Sequence, residues 1–522
     1  MTKLSVRFRS HRPPAYADAN DQHLLQAIKD MERVLIKAQG SLTYDTLRLS
    51  NKALEGLAIT LVEFAEDVYN DIGIWHSVEQ YNLQFFGTRL PFLLMPDDNA
   101  QLNPCDKYRI QHLLWGLFAE VNPQLILSPT HNDLQMIAEL SSDFLEKRFA
   151  QIPRGSGIDS FLAQTNDYGW DIKKKLIWMG QHSYLFRESF INYVSDRGKE
   201  VEIPVIEDFI CQQTTVWSGL GIIDVLAATQ ALSEEEISVL RHWYDRHTAY
   251  YRVIAIDGSE LILKNLVSDE SYTVRLAHDI KWEVGAGNVV FGSLLPWNRE
   301  WFWSGTQTVL GLIPEDAVSD LISDYLKHVP LFAYRYSNEL AIKAQESVKR
   351  QYNEFINYHG ADFVLYPDGI SFAADWQKRS RLQWESKPKE VISQAMEDYN
   401  LQNPWASMSF PSDLINCRDG VGVYYNSEEG EEYMTGMSHI LSGLDKKGEN
   451  MNEDEEEAIR SFICSESISP RFVWRLVQDY GPETISAAFL LRGKHDELNL
   501  EYLLRRYKGA YFRKRYPRIT LS

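Results

Sequence analysis

The stretch YRVIAIDGSELILKN, residues 251–265, decides how this chain is read. Apolar residues alternate through Tyr251-Arg252-Val253-Ile254-Ala255-Ile256, stop at Asp257-Gly258, and resume in Leu261-Ile262-Leu263. A period of two broken by Asp-Gly marks a β-hairpin, because successive strand side chains point to opposite faces and glycine accepts the turn backbone. Working outward, Tyr272-Thr273-Val274 continues the pattern, with turn signals at Ser268-Asp269 and Gly285-Ala286-Gly287. The run closes on Pro296-Trp297-Asn298-Arg299-Glu300-Trp301-Phe302-Trp303-Ser304-Gly305. About five short strands in roughly sixty residues predict a small, curled antiparallel barrel.

On either side the period changes to that of a helix. Leu54, Leu57, Leu61, Phe64, Ala65 and Val68 share one helical face. Further helices are expected over 105–121 and 131–150, with Pro153 and Gly155-Ser156-Gly157 as an interruption. A segment rich in Lys and aromatic residues then runs from Tyr168 to Tyr193. Ser233 and Glu236 form a capping box for a helix running to about His247. Past the β segment, helix resumes near Pro314, and 335–357 is amphipathic. Residues 359–369 read as a strand ending in a turn, and Leu414–Tyr425 as a short strand pair. Ser469-Pro470 starts a helix that Gly481 ends. The run Glu453-Asp454-Glu455-Glu456-Glu457 suits a helix start, where the dipole favours carboxylates. The expected fold class is α+β, mostly α. It comprises a helical domain at 15–248, a small antiparallel β module at 249–312, a helical segment with a short strand at 313–402, and an α+β C-terminal region at 403–522.

Composition narrows the function classes. The 522 residues are 44% hydrophobic and 24% charged, as in ordinary globular proteins. A net charge of -20 repels phosphate backbones and anionic membranes over most of the surface. Cys105, Cys211, Cys417 and Cys464 form no C-x-x-C pair, so reduced thiols are expected rather than a zinc site. No apolar run approaches the roughly 18 residues of a membrane span, and the basic start, Met1 to Pro14, lacks the apolar core of a secretion signal. A cytoplasmic protein with no membrane contact is expected. No G-x-x-x-x-G-K-[ST] or H-E-x-x-H occurs, and Gly285-x-Gly287 lacks the third glycine of a dinucleotide loop. Ser218-Gly219-Leu220-Gly221 is a fragment of a nucleophile elbow and reads as a helix break. No cofactor is expected.

Three groups of residues could make contacts. Trp301 and Trp303 are two apart, so on a strand they share a face opposite Phe302; they are both barrel core or both a stacking platform with Trp297 and Arg299, and Trp282 is a further member. The tail carries Arg505, Arg506, Lys508, Arg513, Lys514, Arg515 and Arg518 without an acid, interleaved with Tyr502, Tyr507, Tyr511, Phe512 and Tyr516. Such a mixture can neutralise phosphates and stack on bases, or dock on the chain's own acidic surface. In the helical domain, Glu63 and Asp67 lie four apart on one helical face, which makes them metal candidates, though the repeated Glu-x-x-His of bundle metal sites is missing. A solvated face, or carboxylates capping backbone, is the alternative.

Short motifs carry a resemblance. Phe64-Ala65-Glu66-Asp67-Val68, Gly73-Ile74-Trp75, Phe86-Gly87 and Leu90-Pro91-Phe92 resemble an uncharacterised bacterial family, domain-of-unknown-function family 3843. So do Leu295-Pro296-Trp297 through Ser304-Gly305, Phe355 through Gly360-Ala361-Asp362, and Leu504-Arg505-Arg506-Tyr507-Lys508-Gly509. Ala65 departs from the pattern, where a bulky aromatic is expected. The resemblance implies a bacterial cytoplasmic protein forming one evolutionary unit; it brings no activity, catalytic residue or cofactor. The reading is a non-enzymatic binding or adaptor protein with a protein partner. Its rivals are a nucleic-acid-associated protein using the tail and a metal-dependent or hydrolytic enzyme sited in the helical domain.

Overall fold

The computed structural model describes residues 3–519 except 17–18, 45–46, 94, 96–101, 123–124, 199, 214, 277–283, 329–333, 336, 399–408 and 492–495. The chain forms two compact units, Met1–Asp324 with Phe489–Ala510, and Tyr325–Ala488 with Tyr511–Ser522. It is α+β and mostly α.

The first unit begins with α1 (Lys3–Ser10), α2 (Asp21–Gln39), α3 (Asn51–Asn70), α4 (Ile74–Phe86), α5 (Lys107–Val121) and α6 (Asn132–Phe149). It continues through α7 (Gly157–Leu162), α8 (Gly169–His182), α9 (Arg187–Asp196), α10 (Ile203–Gln212), α11 (Ile222–Thr229) and α12 (Glu234–Arg241). Ser50 caps α3 by accepting from the Ala53 amide, and Asp71 closes it in the left-handed region. From Ala58 to Asp67 α3 is buried all round, Glu63, Glu66 and Asp67 included. The Ser233–Glu236 capping box forms as expected, but α12 ends at Arg241, and one 3-10 turn leads directly into the barrel.

The barrel comprises β1 (His247–Asp257), β2 (Glu260–Asn265), β3 (Ser271–Arg275), β4 (Asn288–Trp297) and β5 (Glu300–Leu312), in the closed order β1-β2-β3-β5-β4. The strand number follows the turn signals; the all-antiparallel expectation does not hold, because β3 meets β5 in parallel at Val274 and Trp301. The reason is topological. After β3 the chain crosses to lie beside β1, so β5, folded back on β4, reaches β3 running the same way. A meander whose fourth strand returns beside the first is a Greek key. Its five-stranded closed form is the architecture of oligonucleotide- and oligosaccharide-binding barrels. Asn298 and Arg299 join β4 to β5 with φ of 49° and 65°, the positive pair that suits a two-residue hairpin.

In the second unit β6 (Phe363–Tyr366), β7 (Val421–Asn426) and β8 (Gly430–Thr435) form an antiparallel sheet with β7 central. Val348, Phe355, Phe372, Val421, Val423 and Tyr425 make its core. The strand pair expected at Leu414–Tyr425 is displaced: Leu414 sits in a short helix, Ser412–Ile415, and the hairpin is β7–β8. Every residue of β7 is buried, so it shows no alternation to locate it. The helix Pro470–Tyr480 has the expected ends, Ser469 capping the Phe472 amide and Gly481 at φ 88°. The acidic run opens the helix Glu453–Cys464, with Asn452 and Glu455 capping reciprocally. No described helix is long and apolar enough to cross a membrane.

Candidate functional site

The carboxylates of α3 point inward. Glu63 Oε1 lies 3.0 Å from His11 Nδ1, and Glu63 Oε2 accepts from Arg187 at 2.9 Å. Glu66 accepts both arms of Arg12, at 2.7 and 3.0 Å, and the Ser156 hydroxyl at 2.6 Å. Asp67 accepts the amides of Gly73, Ile74 and Trp75 and the Tyr184 hydroxyl, so it satisfies the otherwise orphaned N–H groups that open α4. Glu63 and Asp67 therefore face separate partners, and no group of three or more His, Cys, Asp or Glu among the described residues could hold a metal ion. The solvated-face expectation is also corrected. These carboxylates are interior because His11, Arg12, Ser156, Tyr184 and Arg187 converge on them from distant segments, whereas their backbone-capping alternative describes Asp67.

Burial pushes the Glu63 carboxyl up, but Arg187 and His11 outweigh it and hold it down at about 2. Burial pushes Asp67 up against the pull of Tyr184 and the three amides. Because the folded Glu63 value lies below its ordinary 4.5, its contribution is fully present above that pH and is lost as pH falls through about 2. The urea stability of the protein relative to its Glu63→Gln variant accordingly narrows by about 3 kcal/mol between pH 6 and pH 2. A difference that stays flat across that range contradicts the assignment.

The tryptophans divide. Trp303 is barrel interior, edge-on to Tyr251 at 6.0 Å. Trp301 shares its face but sits half-buried, edge-on to Tyr272 at 4.8 Å. The parity reading therefore holds, while the two rings differ in burial, Trp303 being buried and Trp301 half-buried. Phe302 faces the other way, onto α8, where a Cβ added to Gly169 would lie 2.6 Å from its ring. Trp297 is buried, donating to the Asn166 carbonyl at 2.7 Å, and Arg299 is exposed at the hairpin tip. Trp282 lies outside the described residues.

In barrels of this architecture, strands β2 and β3 and the β1–β2 and β4–β5 loops carry ligands. Here the β4–β5 loop is engaged with the chain itself: Asn298 reaches the Asn166 and Asp167 carbonyls, and Arg275 of β3 lies 4.3 Å from the Tyr168 ring centre and pairs with Glu300 at 3.0 Å. Beside this junction is a buried cluster that the sequence reading missed. Lys173 of α8 pairs with Glu207 of α10, both meet the Ser304 hydroxyl of β5, and Arg246 lies 3.6 Å from Glu207. Lys and Glu in sequence read as surface, so only the small pair Ser304-Gly305 amid aromatics hinted at a close approach.

The barrel is barest where β1 and β5 flank the start of β4. Ile254, Ile256, Val309, Leu310 and Leu312 are 47, 46, 44, 39 and 76% exposed. Gly287 links the two strands: its amide donates to the Val253 carbonyl at 2.7 Å, and a Cβ there would come 3.0 Å from Leu312. Scattered exposed aliphatics are ordinary, but clustered ones mark contact surfaces.

The basic tail is met largely by its own chain. In the first unit Arg505 pairs with Glu501 at 2.7 Å and lies over Phe85 at 3.9 Å. Arg506 is buried near the rings of Trp115 and Tyr507; burial, aided by the Arg506 charge, drives His112 down to about 3. Lys508 is buried. In the second unit Arg515 forks onto Glu429 at 3.0 and 2.6 Å, and Arg518 reaches the same carboxylate at 3.0 Å. Arg513 is half-buried, and Lys514 is exposed beside Tyr516.

A family model described as "Protein of unknown function (DUF3843)" matches residues 45–218. The matched region holds the Phe64–Val68, Gly73–Trp75, Phe86–Gly87 and Leu90–Phe92 motifs; the barrel, Phe355–Asp362 and tail motifs lie outside it. No curated protein and no solved structure matches the chain.

Proposed function

We propose that this chain is a non-enzymatic binding or adaptor protein, acting in a bacterial cytoplasm, whose partner protein docks on the aliphatic end of the barrel. The observation that carries this reading is the exposure of Ile254, Ile256, Val309, Leu310 and Leu312 around Gly287. A partner that covers such a cluster gains the burial of several aliphatic side chains, the usual core of an interface. The β4–β5 loop and Arg275, part of the surface that carries ligands in such barrels, are already engaged by the 166–168 segment, which supports the same reading.

The test is affinity capture from native cells with Ile254→Asp and Leu312→Asp. Both positions are exposed, so each change alters stability by about 0.5 kcal/mol or less. A stoichiometric protein partner is expected with the unaltered chain and is reduced at least about tenfold by either substitution. Capture of the same partner at an unchanged level by both variants sinks the proposal.

A further inference from the structure

A cleft of about 250 Å³ opens where α1, α3, α5 and α9 meet, on residues that take no part in the surface proposed above. Helical spacing builds one wall: Ala53, Gly56, Leu57 and Thr60 of α3 stand at i, i+3, i+4 and i+7. Leu117 and Val121, four apart on α5, face them together with Phe118. The walls are apolar; one end carries Arg7, paired with Glu55, and Lys52, and the other carries Glu188 beside the Glu63-paired Arg187.

At one end are Arg7, Lys52 and the Ser50-capped N-terminus of a 20-residue helix, three sources of positive potential at a single mouth. Arg7 reaches this place by crossing α3 at Gly56, where a Cβ would lie 3.0 Å from its Nη2. Its Nη1 makes two contacts of 3.4 Å, to the Lys52 carbonyl and to Glu55, which leaves further guanidinium donors for a ligand. At the other end are Thr60, whose hydroxyl accepts from Arg187 at 3.0 Å, and Glu188. Ser50 and Thr60 are ten residues apart, about 15 Å along the helix axis.

We propose that this cleft binds a single-chain anionic amphiphile, a medium-chain fatty acid, with its carboxylate at Arg7 and Lys52 and its chain along Leu57, Leu117, Phe118 and Val121. Glu188 beyond the methyl end disfavours a second carboxylate, so the site takes a monoacid and rejects a diacid of equal length. This ligand is independent of the partner at the barrel end.

The test is calorimetric titration of the full-length chain with sodium decanoate, octanoate, decanedioate and decylammonium. Decanoate is expected to saturate one site, and octanoate to bind about tenfold more weakly for its two missing methylenes. Decanedioate and decylammonium are expected to bind at least about tenfold more weakly still. Lys52 and Val121 are exposed, so Lys52→Glu and Val121→Asp leave the thermal midpoint in place while each weakens decanoate about tenfold. The proposal is overturned if decanoate shows no saturation at millimolar concentration, if the amine or the diacid binds equally well, or if neither substitution alters affinity.

Discussion

Glu207→Leu lowers the stability of the first unit by about 3–5 kcal/mol, measured as a shift of the urea midpoint followed by tryptophan fluorescence. Glu207 and Lys173 are both buried, and the Ser304 hydroxyl meets both, 3.0 Å from the lysine nitrogen. Removing the carboxylate strands an ammonium in a low-dielectric interior beside the Arg246 guanidinium, where one hydroxyl cannot replace the lost counter-charge. The cost is specific to the broken pair. Lys173→Met combined with Glu207→Leu removes both charges, fills the space with methylenes and recovers most of the loss. A single-variant cost below about 1 kcal/mol contradicts the buried pair, because that is the range of exposed ones. The position matters because the cluster joins α8, α10 and β5, and so anchors barrel to helices.

Arg12→Met has an effect of similar size for the mirror-image reason. It leaves the Glu66 carboxylate buried, with the Ser156 hydroxyl in place of a two-armed guanidinium. A loss of about 3–5 kcal/mol is expected. Arg12→Lys keeps the charge but not the fork, and costs about 1–2 kcal/mol. The same change frees the N-terminal arm. Arg12 and His11 hold it, the latter through Glu63 and through the Trp178 indole, which donates to the His11 carbonyl at 2.9 Å. Trypsin therefore cuts the Arg12→Met variant after Arg7 or Arg9 under conditions that leave the unaltered protein whole. Equal resistance of the two proteins shows that the arm is held by other contacts.

Chemistry confined to a few neighbouring residues was legible in the sequence. Ser233 with Glu236, Ser469-Pro470 with Gly481, and the acidic run from Glu453 act within one helical turn; the three helix starts and the Gly481 end they imply are observed, while the helix from Ser233 stops at Arg241, short of His247. The barrel's strand number was legible for the same reason, since each turn announces itself locally. Its parallel β3–β5 contact was not, because crossing direction is a property of the whole module. The α3 carboxylates show the limit most clearly. Glu63 and Asp67 look alike at helical spacing, yet one binds a guanidinium more than a hundred residues later in the chain and the other caps the next helix. The tail is the converse case: its charges were visible, but their partners Glu429, Glu501, Trp115 and Phe85 were not.

The first unit is not continuous in sequence, and this bears on how the chain is born. Its last segment, Phe489–Ala510, follows the whole of Tyr325–Ala488. That segment brings Tyr502 to stack on Trp115 at 5.7 Å and to meet Phe92 at 4.7 Å and Phe86 at 5.2 Å, and it brings Arg506 beneath Trp115. At ribosomal speeds of about 5–20 residues per second, the aromatic wall waits roughly 10–40 s for its cover after the barrel has emerged. During that interval Trp115, Phe92 and Phe86 lack their native cover, so the core of the first unit is closed only after residues 325–488 have been made.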